Sequence, residues 1–221
     1  MTVNIKDVSP LLAPHFLDIE ADPSLFKINN KLINEHSDKI GLYSKYLGHL
    51  HDSLILQTDL TLNKFSLILN DFTTYSFASA IVEKHAITID HDKLIFPIQL
   101  NFKISDLSFN AVDEEGNIKR IKRTRIDEYL YDRVITVDSE NICIGLVFYN
   151  DNKTRRRKQI LILLTAQNIS LEEHQKEAWN NLLGDKYDDC YNYFRAQFNK
   201  GRYLSDYTEC KNLVDEYFEK D

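Results

Sequence analysis

The sequence is short of glycine, proline and cysteine, and each shortage limits what the protein can be. Its 221 residues include only six glycines and no Gly-rich phosphate-binding loop. Three cysteines, Cys143, Cys190 and Cys210, have no CxxC spacing, so we expect reduced thiols rather than a disulfide framework or a zinc knuckle. The motifs GxSxG and HExxH are also absent, which makes an enzyme the weaker class of function.

Long apolar runs are missing as well. No stretch approaches the length that crosses a bilayer, and the N-terminus lacks the basic start, apolar stretch and cleavage site of a secretory signal. We therefore expect a cytoplasmic protein with no membrane partner. The chain is long enough to bury a core without disulfides or metal, and we expect no cofactor.

Both ends of the chain have the apolar spacing of helices. Asp22 and Pro23 form an N-cap and first-turn pair, and a second helix follows it. Near the C-terminus, Ser170 and Glu173 have the spacing of a capping box at the start of a helix. Two later apolar faces predict further helices, which begin near residues 187 and 205.

Between these ends the apolar residues alternate, as they do in strands. Leu54 and Leu56, which we expect on the core face, begin a predicted hairpin that returns through residues 65–69. The clearest strand is LIFPIQLNFKI (94–104), in which every second residue is apolar. Two more hairpins are predicted, one around Gly116 and one that joins 142–149 to 159–165.

These patterns predict an α+β fold, in which an antiparallel β-sheet, curved or sandwich-like, is flanked by N-terminal and C-terminal helices. The predicted parts are a helical lead-in (1–52), an antiparallel β core (53–166) and C-terminal helices packed on that core (167–221). No repeat or long linker separates them, so we expect one structural domain.

Charge is unevenly distributed along the chain. The net charge is −7, from 27 basic and 34 acidic residues, yet KRIKRTR (119–125) and KTRRRK (153–158) hold five basic residues each. Both segments could meet at a sheet edge and bind a polyanion such as nucleic acid, or they could be solvated strand ends that prevent edge pairing. The arginines predicted to bind the polyanion are Arg120, Arg123, Arg125, Arg155, Arg156 and Arg157.

The C-terminal helices combine tyrosines with twelve acidic residues between positions 170 and 221. Tyrosine has an apolar ring and a polar tip, which suits a protein interface, and acidic surroundings attract a basic partner. The alternative is that most of these rings are half-buried contacts between helices and sheet. The tyrosines predicted to contact a protein partner are Tyr187, Tyr191, Tyr203 and Tyr207.

The segment HLHDS (49–53) raises the question of a metal site. His49, His51 and Asp52, with the later pair His91-Asp92, could supply ligands for zinc or manganese in a metal-dependent hydrolase. HD-type phosphohydrolases carry such a pair on a helix, whereas here it introduces a strand. We interpret His91-Asp92 as a turn, and Asp52 as a structural aspartate on the core face.

A helical lead-in followed by LHDS, a hairpin, and later YLYDRVITVDSENICIGLVFYND resembles a group of uncharacterised bacterial domains. Some of these domains occur among candidate immunity proteins of contact-dependent toxin systems. The resemblance covers patches between about residues 46 and 150. It implies a cytoplasmic inhibitor that is not an enzyme, and it assigns no catalytic residue.

The leading functional hypothesis is therefore an acidic binding protein, of the immunity type, that meets a basic protein through its Tyr-rich helices. The second hypothesis is polyanion binding through the two basic segments. The third is the metal-dependent hydrolase.

Overall fold

The computed structural model describes residues 3–12, 23–41, 43, 46, 50–90, 94–150, 158–199 and 207–219. The strands are Val3–Asn4 (β1), Ser53–Leu60 (β2), Lys64–Asn70 (β3), Pro97–Val112 (β4), Asn117–Ile121 (β5), Glu128–Val137 (β6), Ile142–Asn150 (β7) and Lys158–Glu173 (β8). The α-helices are Ile5–Val8 (α1), Pro23–Glu35 (α2), Ser37–Ile40 (α3), Phe72–Lys84 (α4), Gln175–Leu183 (α5), Tyr187–Asn199 (α6) and Tyr207–Phe218 (α7).

The predicted α+β class is confirmed, because one antiparallel sheet carries helices from both ends of the chain. The predicted hairpins β2–β3, β4–β5 and β7–β8 are all present. In the part of the chain that the structure describes, no helix combines the length and the apolar content needed to cross a membrane.

The sheet is built around the pairing of β4 with β8. The two strands pair from Ile98 with Glu173 to Val112 with Gln159, which is nearly the whole length of each. The other edge of β4 pairs first with β3 and then with β5, and the other edge of β8 pairs with β7. Because β2 also pairs with β6 at one end, the strands β2, β3, β4, β8, β7 and β6 form a closed ring.

The inner face of this ring holds the main hydrophobic core. Tyr43 and Leu50, from the segment that follows α3, are fully buried in the same core. The apolar face predicted from LIFPIQLNFKI is confirmed, since its alternate residues are all buried. Ile98, Leu100, Phe102 and Ile104 lie in this core, whereas Leu94 and Phe96, which precede β4, are buried in a second core.

A second core lies among α4, α5, α6 and α7. Helix α4 follows β3 directly and α5 follows β8 directly, so both helices start at the same end of the sheet. Trp179 is fully buried there, with its ring centroid between 5.4 and 6.3 Å from those of Phe77, Phe96 and Phe194. These aromatic contacts attach the helices to that end of the sheet.

The N-terminal residues cover part of the outer face of the sheet. Ile5 and Leu12 are fully buried against Leu130 and Leu161. Gly145 permits this close packing, because a Cβ atom at that position would lie 2.8 Å from the Leu12 side chain.

The face predicted for the start of β2 is wrong. A bulge between Ile55 and Gln57 changes the register, and Ile55 packs against the core in place of Leu54 and Leu56. Leu54 is 57% exposed and Leu56 is 45% exposed. Alternation assigns faces only along an unbroken strand, and a bulge adds one residue to one side of the pair.

The capping box predicted at Ser170 and Glu173 is also wrong. Strand β8 continues through both residues, which pair with β4, and α5 begins at Gln175. The sequence does not predict α4 or β6. Nine of the thirteen α4 residues are buried, so the helix has no one-sided apolar period, and Asp132 and Arg133 interrupt β6 with charge.

Asp132 places a carboxylate inside the main core. It is 1% exposed, and its Oδ2 atom accepts hydrogen bonds from Tyr43 Oη at 2.6 Å and Tyr129 Oη at 2.5 Å. Burial, and then the nearby carboxylate, raise the pKa of both tyrosines well above the usual value, so both hydroxyls stay protonated. The cluster joins the N-terminal helical segment to β6.

Replacing Asp132 by Ala should lower the free energy of unfolding by about 3 kcal/mol, because two buried hydroxyls lose their acceptor. Urea unfolding measures the change. Asp59→Ala, at an exposed position of β2, is the control and should change stability by less than about 0.5 kcal/mol. Equal stability of the two variants would contradict a structural role for the Asp132 carboxylate.

Candidate functional site

The first basic segment lies on the surface. Ile126 is buried in the main core and Ile121 packs against it, so apolar residues anchor both ends of the stretch 122–125. Burying a charged side chain without a partner is costly, so the charged side chains between these two isoleucines remain in solvent. The exposed basic residues are Lys119, Arg120, Lys122, Arg123 and Arg125.

Little negative charge neutralises this segment. Arg125 forms an ion pair with Asp127, while Arg123 Nη2 lies 3.4 Å from the backbone oxygen of Thr58. Within the described ranges, no carboxylate forms an ion pair with Lys119, Arg120 or Lys122. The segment therefore presents clustered positive charge, the requirement for attracting an anion.

The structure also locates both flanks of the second basic segment. Asn150 and Lys158 pair at the end of the β7–β8 hairpin, and residues 151–157 between them lie outside the described residues. Asn150 Nδ2 donates hydrogen bonds to Thr124 Oγ1 at 3.1 Å and to the Arg125 backbone oxygen at 2.7 Å. Asn150, three residues before the second segment, is therefore in direct contact with the first, and Arg155, Arg156 and Arg157 lie outside the described residues.

The acidic helices lie at the other end of the sheet. Asn110 of β4 pairs with Arg120, whereas Ile98 of the same strand pairs with Glu173, just before α5. At roughly 3.3 Å per residue, the strand path between Ile98 and Asn110 is about 40 Å long. Exposed carboxylates near that end are Glu172, Glu177, Asp185, Asp188, Asp189, Glu216 and Glu219.

A buried polar network joins the sheet to these helices. Asp71 caps α4, with Oδ1 accepting a hydrogen bond from the Thr73 backbone N–H at 3.2 Å. Its Oδ2 accepts hydrogen bonds from the Thr74 hydroxyl and from Gln175 Nε2, the latter at 2.9 Å. Gln175 is fully buried, and its Oε1 accepts a hydrogen bond from Tyr191 Oη at 3.2 Å.

The network continues to Glu173 at the end of β8. This carboxylate accepts a hydrogen bond from the Tyr46 hydroxyl and lies 3.3 Å from Arg195 Nη2. The Arg195 guanidinium also lies 4.9 Å from the centroid of the Tyr46 ring. Both carboxylates are surrounded by donors, as a buried polar network requires, and we interpret the cluster as the attachment of the helices to the sheet.

The tyrosines predicted to bind a partner lie in different environments. Tyr187 is 6% exposed and stacks on the half-buried Tyr191 with ring centroids 5.3 Å apart, which leaves little of the Tyr187 ring for a partner. Tyr207 is 40% exposed and donates a hydrogen bond to Glu83, which raises the pKa of Tyr207 to about 12. Tyr203 lies outside the described residues.

Within the HLHDS segment, His51 and Asp52 form a turn. Asp52 has a φ of 61°, its side chain is 45% exposed, and its Oδ1 lies 2.8 Å from His51 Nδ1. The prediction that Asp52 faces the core is therefore wrong. Asp52 lies in the turn before β2, and the alternation of a strand does not extend to a turn residue. His49, His91 and Asp92 lie outside the described residues, and the described ones contain no group of three possible metal ligands.

Sequence reasoning identified the basic segments but not the polar network. Asp71 had a usable signal, an aspartate placed at the start of a helix, but α4 itself is not predicted. Gln175, Tyr46 and Arg195 carry no local signal, because they come from α5, from the segment after α3 and from α6, which meet only in the folded structure.

The chain was compared with protein-family models, curated proteins and solved structures, and none of them matches it. The resemblance to LHDS-type immunity domains therefore stays a prediction, and function has to be inferred from residues and geometry.

Replacing Asp71 by Asn should change how stability depends on pH. Burial raises the pKa of Asp71 above its ordinary value of 3.8, so the folded protein binds this proton more tightly than the unfolded chain. The wild type therefore loses stability relative to Asp71→Asn as the pH rises from below 3.8 through the raised pKa. Urea unfolding across pH, with exposed Asp59→Asn as control, measures the difference, and a pH-independent difference would contradict the assignment.

Proposed function

We propose that this protein binds a polyanion through a basic surface formed by residues 119–125, with further basic residues supplied by the segment 153–158. The observation that carries the proposal is the row of five exposed basic side chains between 119 and 125, of which Arg125 alone has an ion-pair partner within the described chain. Five like charges repel each other, and a bound polyanion removes this repulsion while releasing its counterions.

The arrangement of the charges favours an extended ligand. The basic residues follow a strand and the loop after it. The contact of Asn150 with Thr124 and Arg125 supports adding the second segment to the same surface. A row of phosphate or carboxylate groups would meet several of these side chains at once.

The immunity-type inhibitor stays a second proposal. It is supported by the acidic surface of the C-terminal helices and by the exposed ring of Tyr207. A Tyr207→Ala variant should then capture less of a basic protein from lysate than the wild type, with or without nuclease. Capture that disappears on nuclease treatment would favour the polyanion instead.

A cytoplasmic location agrees with both proposals. Cys143, Cys190 and Cys210 are free thiols, and the last two are buried, as expected for a reducing compartment.

Polyanion binding predicts a steep dependence on salt. With a fluorescein-labelled single-stranded oligonucleotide as the probe, the logarithm of the binding constant should fall linearly with the logarithm of the salt concentration. Arg120→Gln and Lys122→Gln should each weaken binding and reduce that slope by roughly one. Fluorescence anisotropy measures both quantities.

The matched controls are Lys31→Gln and Lys186→Gln, which remove the same charge at exposed positions away from the basic surface. A triple variant, Arg155→Gln, Arg156→Gln and Arg157→Gln, tests the second segment. Binding that is insensitive to salt, or that the controls weaken as much as Arg120→Gln does, would eliminate the proposal.

A further inference from the structure

Three exposed leucines lie on or beside β2. Leu54 is 57% exposed, Leu56 is 45% exposed, and Leu62, in the turn between β2 and β3, is 99% exposed. The bulge after Ile55 explains why Leu56 does not reach the core. Exposed apolar residues that occur singly need no explanation, but a group of them marks a contact surface.

These leucines border the basic surface. The segment 123–128 runs alongside β2. Arg123 Nη2 lies 3.4 Å from Thr58 Oγ1, and the Ile55 backbone N–H donates a hydrogen bond to the Asp127 backbone oxygen at 2.8 Å. Leu54 pairs with Glu128 at the end of this contact. Exposed arginine side chains of the segment 123–128 and exposed leucine side chains of β2 are therefore neighbours on the surface.

The turn that carries Leu62 reaches the same region from the other side. The Ile104 backbone N–H of β4 donates a hydrogen bond to the Asn63 backbone oxygen in this turn at 3.0 Å. Further along β4, Phe109 pairs with Ile121 of β5. The Leu62 turn and the start of the basic loop thus flank the same short stretch of β4, residues 104–109.

We propose that this combined surface docks on a bilayer that contains anionic lipid. The inference rests on the proposed function and names the source of the negative charge. Lysine and arginine would contact the lipid phosphates, while Leu56 and Leu62 would enter the boundary between headgroups and acyl chains. Asp59 on β2 and Asp106 on β4 are exposed carboxylates that oppose binding, but the five basic residues outnumber them.

The apolar side chains favour lipid over nucleic acid. Single-stranded nucleic acid binds by stacking its bases on aromatic rings, whereas the large exposed apolar side chains beside these arginines are leucines. The Arg120 end of the surface lies about 40 Å along β4 from the start of α5, whereas Leu54, which pairs with Asn70 just before α4, lies close to the helices, so repulsion by the acidic helices is weakest at the Arg120 end. The sequence predicts no membrane partner because it lacks a spanning run, and a contact through a folded turn requires no such run.

Co-sedimentation with vesicles tests this proposal, using phosphatidylcholine alone and phosphatidylcholine with phosphatidylserine. The full-length protein should bind only the vesicles that contain phosphatidylserine. Leu62→Asn should weaken this binding by roughly tenfold, because a leucine leaves the hydrocarbon boundary. Leu62 is almost fully exposed, so the substitution should not disturb folding.

Ile28→Asn is the matched control, because Ile28 is 50% exposed on α2, and it should bind vesicles like the wild type. Binding of the oligonucleotide by Leu62→Asn should also be unchanged. If the wild type binds the oligonucleotide but no vesicle, the membrane inference fails and the proposed function stands. If it binds neither, both fail, and if Leu62→Asn binds vesicles as well as the wild type does, insertion of the leucine is excluded.

Discussion

The antiparallel pairing of β4 with β8 is the interaction on which the rest of the structure depends. Each strand has 16 residues, and together they hydrogen-bond along nearly their whole length. Buried backbone groups must be paired, so each strand also needs partners on its other edge, and β3, β5 and β7 supply them. With β2 and β6 added, the ring closes around the main core. The long β4–β8 pair thereby places β5 near one end of β4 and the start of α5 near the other.

That length also separates charge of opposite sign. Helices that carry several exposed carboxylates begin where β3 and β8 end, while β5, which opens the basic segment, pairs with the far half of β4. A net charge of −7 therefore does not describe the surface that a ligand meets. Because exposed charges further apart than a Debye length hardly interact in physiological salt, each end can attract its own partner.

Particular residues show which features of the fold the sequence alone predicts and which it does not. Alternation from Leu94 to Ile104 predicted buried residues correctly, although only Ile98 to Ile104 lie on β4, and Leu94 and Phe96 are buried in the core among the helices. The same rule failed at Leu54 and Leu56, where a bulge leaves no mark in the residues themselves. Helix α4 was missed since a helix buried on most sides has no apolar stripe. The basic segment was found because uncompensated charge stays in solvent, but its contact with Asn150 could not be predicted.

By itself, the sequence determined the α+β class, most hairpins and the exposure of KRIKRTR, since these follow from local periodicity, turn residues and the cost of burying charge. Only the tertiary structure decided that Asp71, Gln175 and Glu173 meet in one network and that Asp132 faces two tyrosines in the core. It also decided that leucines border the arginines. Such contacts join residues far apart in the chain, and strand order, register and bulges, which arise from the packing of the whole sheet, bring them together.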